Sequence, residues 1–203
     1  MHVKAPTAAL VTSLLCLSSL PAFAVPITYI YAGHGGGSLG EAIFSDRAFT
    51  ITALADTDNI APWSSAGGGP QNTHISTTID IGGLGLLTIN TPSHTWLAAG
   101  CCGGLGQNLS LNWITIDAPA LVSVGYDLST NIGPIVDNTP SHFNQFANVS
   151  TSGGLLSFRD ISDVTFSAIT GTVAVPEPTT ISLLCLGLIG FAVRRRTRSS
   201  SAL

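Results

Sequence analysis

Residues 27–40 read ITYIYAGHGGGSLG, and two folds compete for them. The second half carries three overlapping active-site signatures. Residues 36–40 match G-x-S-x-G, the elbow that holds a hydrolase serine, here Ser38. Residues 34–37 spell H-G-G-G, an oxyanion-hole loop, and residues 35–40 match G-x-G-x-x-G with Asp56 downstream, a dinucleotide fingerprint. All three belong to α/β architectures. The first half, ITYIYAG from Ile27 to Gly33, is instead a short β-strand pattern of β-branched and aromatic residues.

The spacing decides against the α/β readings. A hydrolase draws its oxyanion donors from a loop separate from the nucleophile elbow, yet here both motifs use Gly36 and Gly37. Partners for a triad exist downstream in Asp127 and His142, but the alternating helices of that fold do not. A βαβ crossover needs about ten or more residues including its helix. Only residues 41–48 separate Gly40 from the next strand segment. The stretch is therefore expected to be a glycine-rich connection between the first two strands of a β domain, with His34 and Ser38 as ordinary polar groups.

Working outward, strand patterns recur at residues 48–56, 74–82, 86–91, 109–117, 121–128 and 163–173, punctuated by Gly, Pro and Asn. Residues 40–49 have room for a turn or two of helix, and no other window shows a long apolar stripe at helical period. The class expected is all-β: an antiparallel β-sandwich, with a jelly-roll arrangement as one option. The glycine pairs Gly82-Gly83, Gly103-Gly104 and Gly153-Gly154 fit hairpin turns or bulges. Asn90-Thr91-Pro92-Ser93-His94 recurs as Asn138-Thr139-Pro140-Ser141-His142, which turn chemistry explains better than a duplicated binding unit.

Charge narrows the function classes. Between residues 25 and 175 two arginines, Arg47 and Arg159, stand against ten acidic side chains. A nucleic-acid partner is excluded on that balance, since phosphate binding rests on clustered Lys and Arg. The histidines His34, His74, His94 and His142 are scattered, without the spacing of a zinc site, and no metal or cofactor is assigned. Asp56-Thr57-Asp58-Asn59 opens like a calcium loop, but Ile60 and Ala61 stand where a ligand and the turn glycine belong, which leaves open only a different calcium site built from Asp56 and Asp58. Cys101 and Cys102 are adjacent, which leaves a vicinal disulfide, an intermolecular bond or two thiols open. Trp96 and Trp113 are expected in the core and Trp63 at the surface, where it could stack on a sugar ring. No catalytic residue is assigned. The charged clusters that could serve an enzyme are Asp46 with Arg47, and Arg159 with Asp160 and Asp163.

The ends of the chain read as addresses. Lys4, an apolar run over residues 8–20, Pro21 and the small-x-small site Ala22-Phe23-Ala24 form an export signal cleaved after Ala24. At the other end, residues 179–193 are uncharged and largely apolar, followed by Arg194, Arg195, Arg196 and Arg198. As a helix those residues would span about 22 Å, short against a hydrocarbon core of roughly 30 Å, yet able to cross with local thinning and snorkelling arginines. The basic cluster puts the C-terminus in the cytoplasm. The domain organisation expected is a signal peptide at 1–24, a β-sandwich body at 25–175 and a sorting region at 176–203.

Pro176-Glu177-Pro178, a short apolar helix and a terminal arginine cluster, in that order, resemble a PEP-CTERM sorting signal. The resemblance covers about the last 30 residues. It implies an exported protein of a Gram-negative bacterium that makes exopolysaccharide. Its implied partner is an exosortase, a membrane-embedded cysteine protease-transpeptidase that processes the tail near Pro176, Glu177 and Pro178. The protein is then first anchored in the inner membrane and finally at the cell surface or outside the cell. The function expected is a non-enzymatic structural or adhesive component associated with extracellular polysaccharide or biofilm. The alternatives are a secreted hydrolase or lyase acting on polysaccharide, and a single-pass anchored surface protein whose tail is never processed.

Overall fold

The alternation in residues 27–31 survives as burial. In the computed structural model, which describes residues 25–63, 68–107, 111–117, 121, 125–138 and 146–171, Ile27, Tyr29 and Tyr31 are fully buried while Thr28 and Ile30 are half-buried on the other face. They open β1 (Pro26–Leu39). The same two-residue period buries Phe49, Ile51, Ala53 and Ala55 on β2 (Ala42–Trp63), and Ile79 and Ile81 on β3 (Gly69–Ile81). Then come β4 (Gly85–Thr88), β5 (His94–Ala98), β6 (Cys102–Gln107), β7 (Leu111–Ile116), β8 (Ile132–Asp137), β9 (Val149–Thr151) and β10 (Gly154–Thr170).

These strands form one antiparallel sheet in the order β7-β6-β5-β3-β2-β1-β10-β8, with β4 attached to β3 and β9 to β10. The all-β antiparallel class is as expected. The two facing layers of a sandwich come here from a single sheet curled into a half-barrel, so the core lies against its own concave face. Tyr31 on β1 shows the curl: its hydroxyl donates to the Gly104 carbonyl on β6, 3.1 Å away, across the interior. Tyr29 likewise donates to the Leu128 carbonyl at 2.7 Å. Trp113 stacks on Phe146 at 5.1 Å, and Phe146 packs on Phe158 at 4.8 Å, joining β7 to β10 through the middle. The two edges are drawn together where the Asp117 amide, just past β7, donates to the Asp137 carboxylate of β8 at 2.9 Å. Beyond β4, Asn90 N–H donates to Ser150 O and Ser152 N–H to Thr88 O, both at 2.8 Å, tying the β4 side to the β9 side.

Several local expectations are corrected. The glycines of residues 33–39 continue β1 as a strand rather than forming a connection; the turn is confined to Gly40-Glu41. Residues 42–49 are strand, not helix. Residues 121–128 carry no strand among the described positions, because Leu128 and Gly125 adopt positive φ and break the extension. Gly103 and Gly104 lie inside β6 rather than at a turn, since the β7 backbone comes too close for a side chain at Gly104. Gly82 and Gly83 make the β3–β4 turn as expected. The signal peptide, the apolar segment 179–193 and the repeat partner at 139–142 lie outside the described residues.

Candidate functional site

Burial along β10 locates the irregular part of the sheet. Its inward residues are Leu156, Phe158, Ile161, Val164, Phe166 and Ala168. The spacing of two is broken twice by a spacing of three, and each break marks a residue inserted against β1. Gly36 pairs with Asp160 and Gly37 with Phe158, which leaves Arg159 extra; the next shift lies between Ala32 and His34. On the other side of β1 the register slips between Gly35 and Gly37, opposite Ser45 and Asp46. Asp46 and Asp163 sit in these bulges at φ of 48° and 51°, a conformation that aspartate tolerates better than most side chains.

Glycine on β1 is what lets both neighbours bulge there. A Cβ on Gly35 would stand 2.8 Å from the Asp160 carbonyl oxygen and 2.8 Å from the Phe158 ring. A Cβ on Gly37 would run into the Ser157 carbonyl. The result is a cleft of about 430 Å³ floored by Gly35, Gly36 and Gly37, with Phe44, Asp46, Arg159, Asp160 and Ser162 along its sides. Ile43, 77% exposed, forms an apolar rim. The two charged clusters singled out in the sequence, one around Asp46 and one around Arg159 and Asp160, are thereby brought to one place. Asp163 follows one residue beyond the lining Ser162, and Arg47 pairs with Gly35 across β1 and β2. His34, with no role assigned from the sequence, reaches Asp46 with Nδ1 3.3 Å from Oδ1. Asp127 lies far along the fold from Ser38, in a turn where Ser129 donates to it through backbone and hydroxyl; those bonds hold its carboxyl below the usual range.

A second polar group is built into the interior and went unseen in the sequence. Tyr31 spends its one hydroxyl hydrogen on Gly104 O, so its oxygen accepts from Thr95 Oγ1 at 2.9 Å. Thr95 then accepts from His74 Nε2 at 2.9 Å, which leaves His74 Nδ1 to accept from Ser93 Oγ at 2.8 Å. Thr77 Oγ1 closes the group on Ser93 at 2.7 Å. A serine aimed at an imidazole is the geometry of a nucleophile and its base. Burial and the neighbouring His94, however, push His74 down to about 3, which removes the basicity that proton abstraction near neutrality requires. Ser93 is itself only 3% exposed. The group instead fastens the 90–93 turn to β3, helped by the His74 amide donating to Ser93 O at 3.0 Å.

Trp63 is the clear miss among the aromatics. Expected at the surface, it is 8% exposed and packs on Trp96 at 4.7 Å, with Cys102 against the pair, in a small cluster of its own. The β2–β3 pairing of Trp63 with Gly69 carries it there, a long-range register that local sequence does not encode. Trp96 and Trp113 are buried as expected. Cys101 and Cys102 form a vicinal disulfide at the start of β6. Asp56 accepts from the Asp58 amide at 2.9 Å in a simple turn. Among the described residues no three His, Cys, Asp or Glu side chains converge as metal ligands.

Ala22 and Ala24 of the signal cleavage site lie outside the described residues, as do Pro176, Glu177, Pro178, Arg194, Arg195, Arg196 and Arg198. No curated protein and no solved structure matches the chain. The family description that does match is the PEP-CTERM protein-sorting motif, over residues 174–196. The chain thus carries a PEP-CTERM-like sorting motif near its C-terminus, consistent with an exosortase substrate.

Proposed function

We propose that this is a non-enzymatic surface protein, exported behind a cleaved signal at 1–24, processed by an exosortase and retained in extracellular polysaccharide. The observation that carries the reading is the sorting motif at residues 174–196. The geometry of the β domain supports it. Gly171 N–H donates to Pro26 O at 2.9 Å, so the chain enters and leaves the sheet at the same end. The glycine-floored cleft lies some ten residues along β1 from that end, about 30 Å at a strand's rise. Within the sheet, the cleft is thus set apart from the end where the described chain enters and leaves, on a face open to a polymer.

Fractionation of surface polysaccharide from cells making the full chain, or a variant lacking residues 174–203, tests this. The full chain is expected in the polysaccharide fraction and the variant free in the medium. Equal partitioning of the two would refute the role of the tail.

A second reading has one observation in its favour: the cleft joins Asp46 and Asp160 with Arg159, a set suited to glycoside hydrolysis or elimination. Incubation with the producer's own polysaccharide is expected to release no oligosaccharides. Release that disappears in Asp46→Asn and Asp160→Asn would establish the enzyme instead.

A further inference from the structure

We infer that the glycine-floored cleft takes a sugar residue bearing a free amino group, so that the polymer held is an amino-hexose polysaccharide rather than a polyuronate. This rests on the reading of the protein as a polysaccharide-retained surface protein and names the chemistry of its ligand.

The floor is fixed backbone. Gly35, Gly36 and Gly37 are buried beneath the cleft, and side chains at Gly35 and Gly37 are excluded by the Phe158 ring and the β10 carbonyls. Over this floor stands Asp160, whose Oδ2 lies 3.7 Å from the position a Gly36 Cβ would take. Asp46 closes the other side with its side chain 89% exposed. Among the described residues the one ion pair within 4.0 Å is His34 with Asp46, so Asp160 and Arg159 meet no opposite charge there. Asp160 thus presents a carboxylate and Arg159 a guanidinium to the same cleft, with no ion pair between them within 4.0 Å.

These groups select among sugars. A protonated amine has three donors and no acceptor, and its hydrogen bonds to a carboxylate are charge-assisted. Arg159 can donate to ring hydroxyls, and Ile43 offers an apolar edge to the C–H face of the ring. A uronate would bring its own carboxylate toward Asp46, Asp160 and Asp163 with one nearby guanidinium to offset them. The domain's two arginines against ten carboxylates extend that repulsion to every further uronate along the chain.

The test uses the full chain, purified in detergent, with three probes of equal length: glucosamine oligomers, their N-acetylated counterparts and galacturonate oligomers. The amine form is expected to bind about tenfold or more tighter than either of the others, the margin falling as salt rises. Asp160→Asn is expected to remove about that margin, whereas Asp56→Asn, the same charge change on β2 opposite Pro26, leaves it intact. Equal affinity for the amine and N-acetyl forms would overturn the inference, as would equal weakening by Asp160→Asn and Asp56→Asn, the mark of non-specific polycation attraction. Preference for the N-acetyl or uronate probe overturns the inference alone and leaves polysaccharide binding standing. Binding of none of the probes, together with loss of retention in the producer's own polysaccharide, would take down the reading beneath it.

Discussion

Gly37 and Gly40 sit three residues apart and are glycine for different reasons. At Gly37 the obstacle is a neighbour, the Ser157 carbonyl of β10. At Gly40 there is open space, but φ is +58°, as the tight β1–β2 turn requires. Gly40→Ala is expected to cost about 1 kcal/mol through left-handed strain, and Gly40→Asn less. Gly37→Ala forces β1 and β10 apart and is expected to cost about 3 kcal/mol or more, beyond ordinary overpacking. Urea unfolding midpoints of the three variants check the order; equal losses for the two alanines would show that β10 does not press on Gly37. At this scale the sequence was partly legible. A run of glycines announces an unusual backbone, but whether it turns or stays extended under a crowding neighbour depends on β10, more than 100 residues away. Asp46, Arg159 and Asp160 could be named as candidates from their charge. Their convergence could not, because it depends on bulges in two different strands.

Among the elements, β3, β5 and the 90–93 turn hang on the His74 group. Folded, His74 is held at about 3; unfolded, it returns to its ordinary 6.5. Between those values the unfolded chain binds the extra proton, so stability is complete above pH 6.5 and falls as the pH drops toward 3. His94, lowered by burial, adds in the same direction. The expected signature is a decline in melting temperature beginning near pH 6.5, before the carboxylate range. His74→Gln should lower stability at neutral pH and flatten most of that decline. A wild-type profile already flat from pH 7 to pH 4 would show that the imidazole protonates freely in the fold. The inward faces of β1, β2 and β3 were readable because a two-residue period survives there with strong apolar contrast. β5 and β6 escaped notice: all five residues of β5 are buried, so the alternation vanishes, and β6 is half glycine. β10 was read short at its start for a third reason, since two bulges shift the period that a strand is recognised by.

For the whole molecule, the exit of the described chain from the sheet and the glycine-floored cleft lie toward opposite ends of one strand. β1 begins beside the residue where the described chain leaves the sheet, Gly171, and passes under the cleft before turning at Gly40. The all-β class was legible because strand patterns recur along the body. The single curled sheet was not, since strand order is set by cross-core partners such as Tyr31 with Gly104 and Trp113 with Phe146. The tail motif was legible outright, because its meaning lies in contiguous residues read by another protein rather than in a fold. Surface retention as proposed therefore depends on that tail being processed. Intact mass of the protein recovered from culture, in cells with and without the exosortase, measures this directly. The prediction is a chain that begins after Ala24 and lacks the segment beyond the Pro176-Glu177-Pro178 region only when the exosortase is present. A C-terminus running to Leu203 in both strains would contradict it.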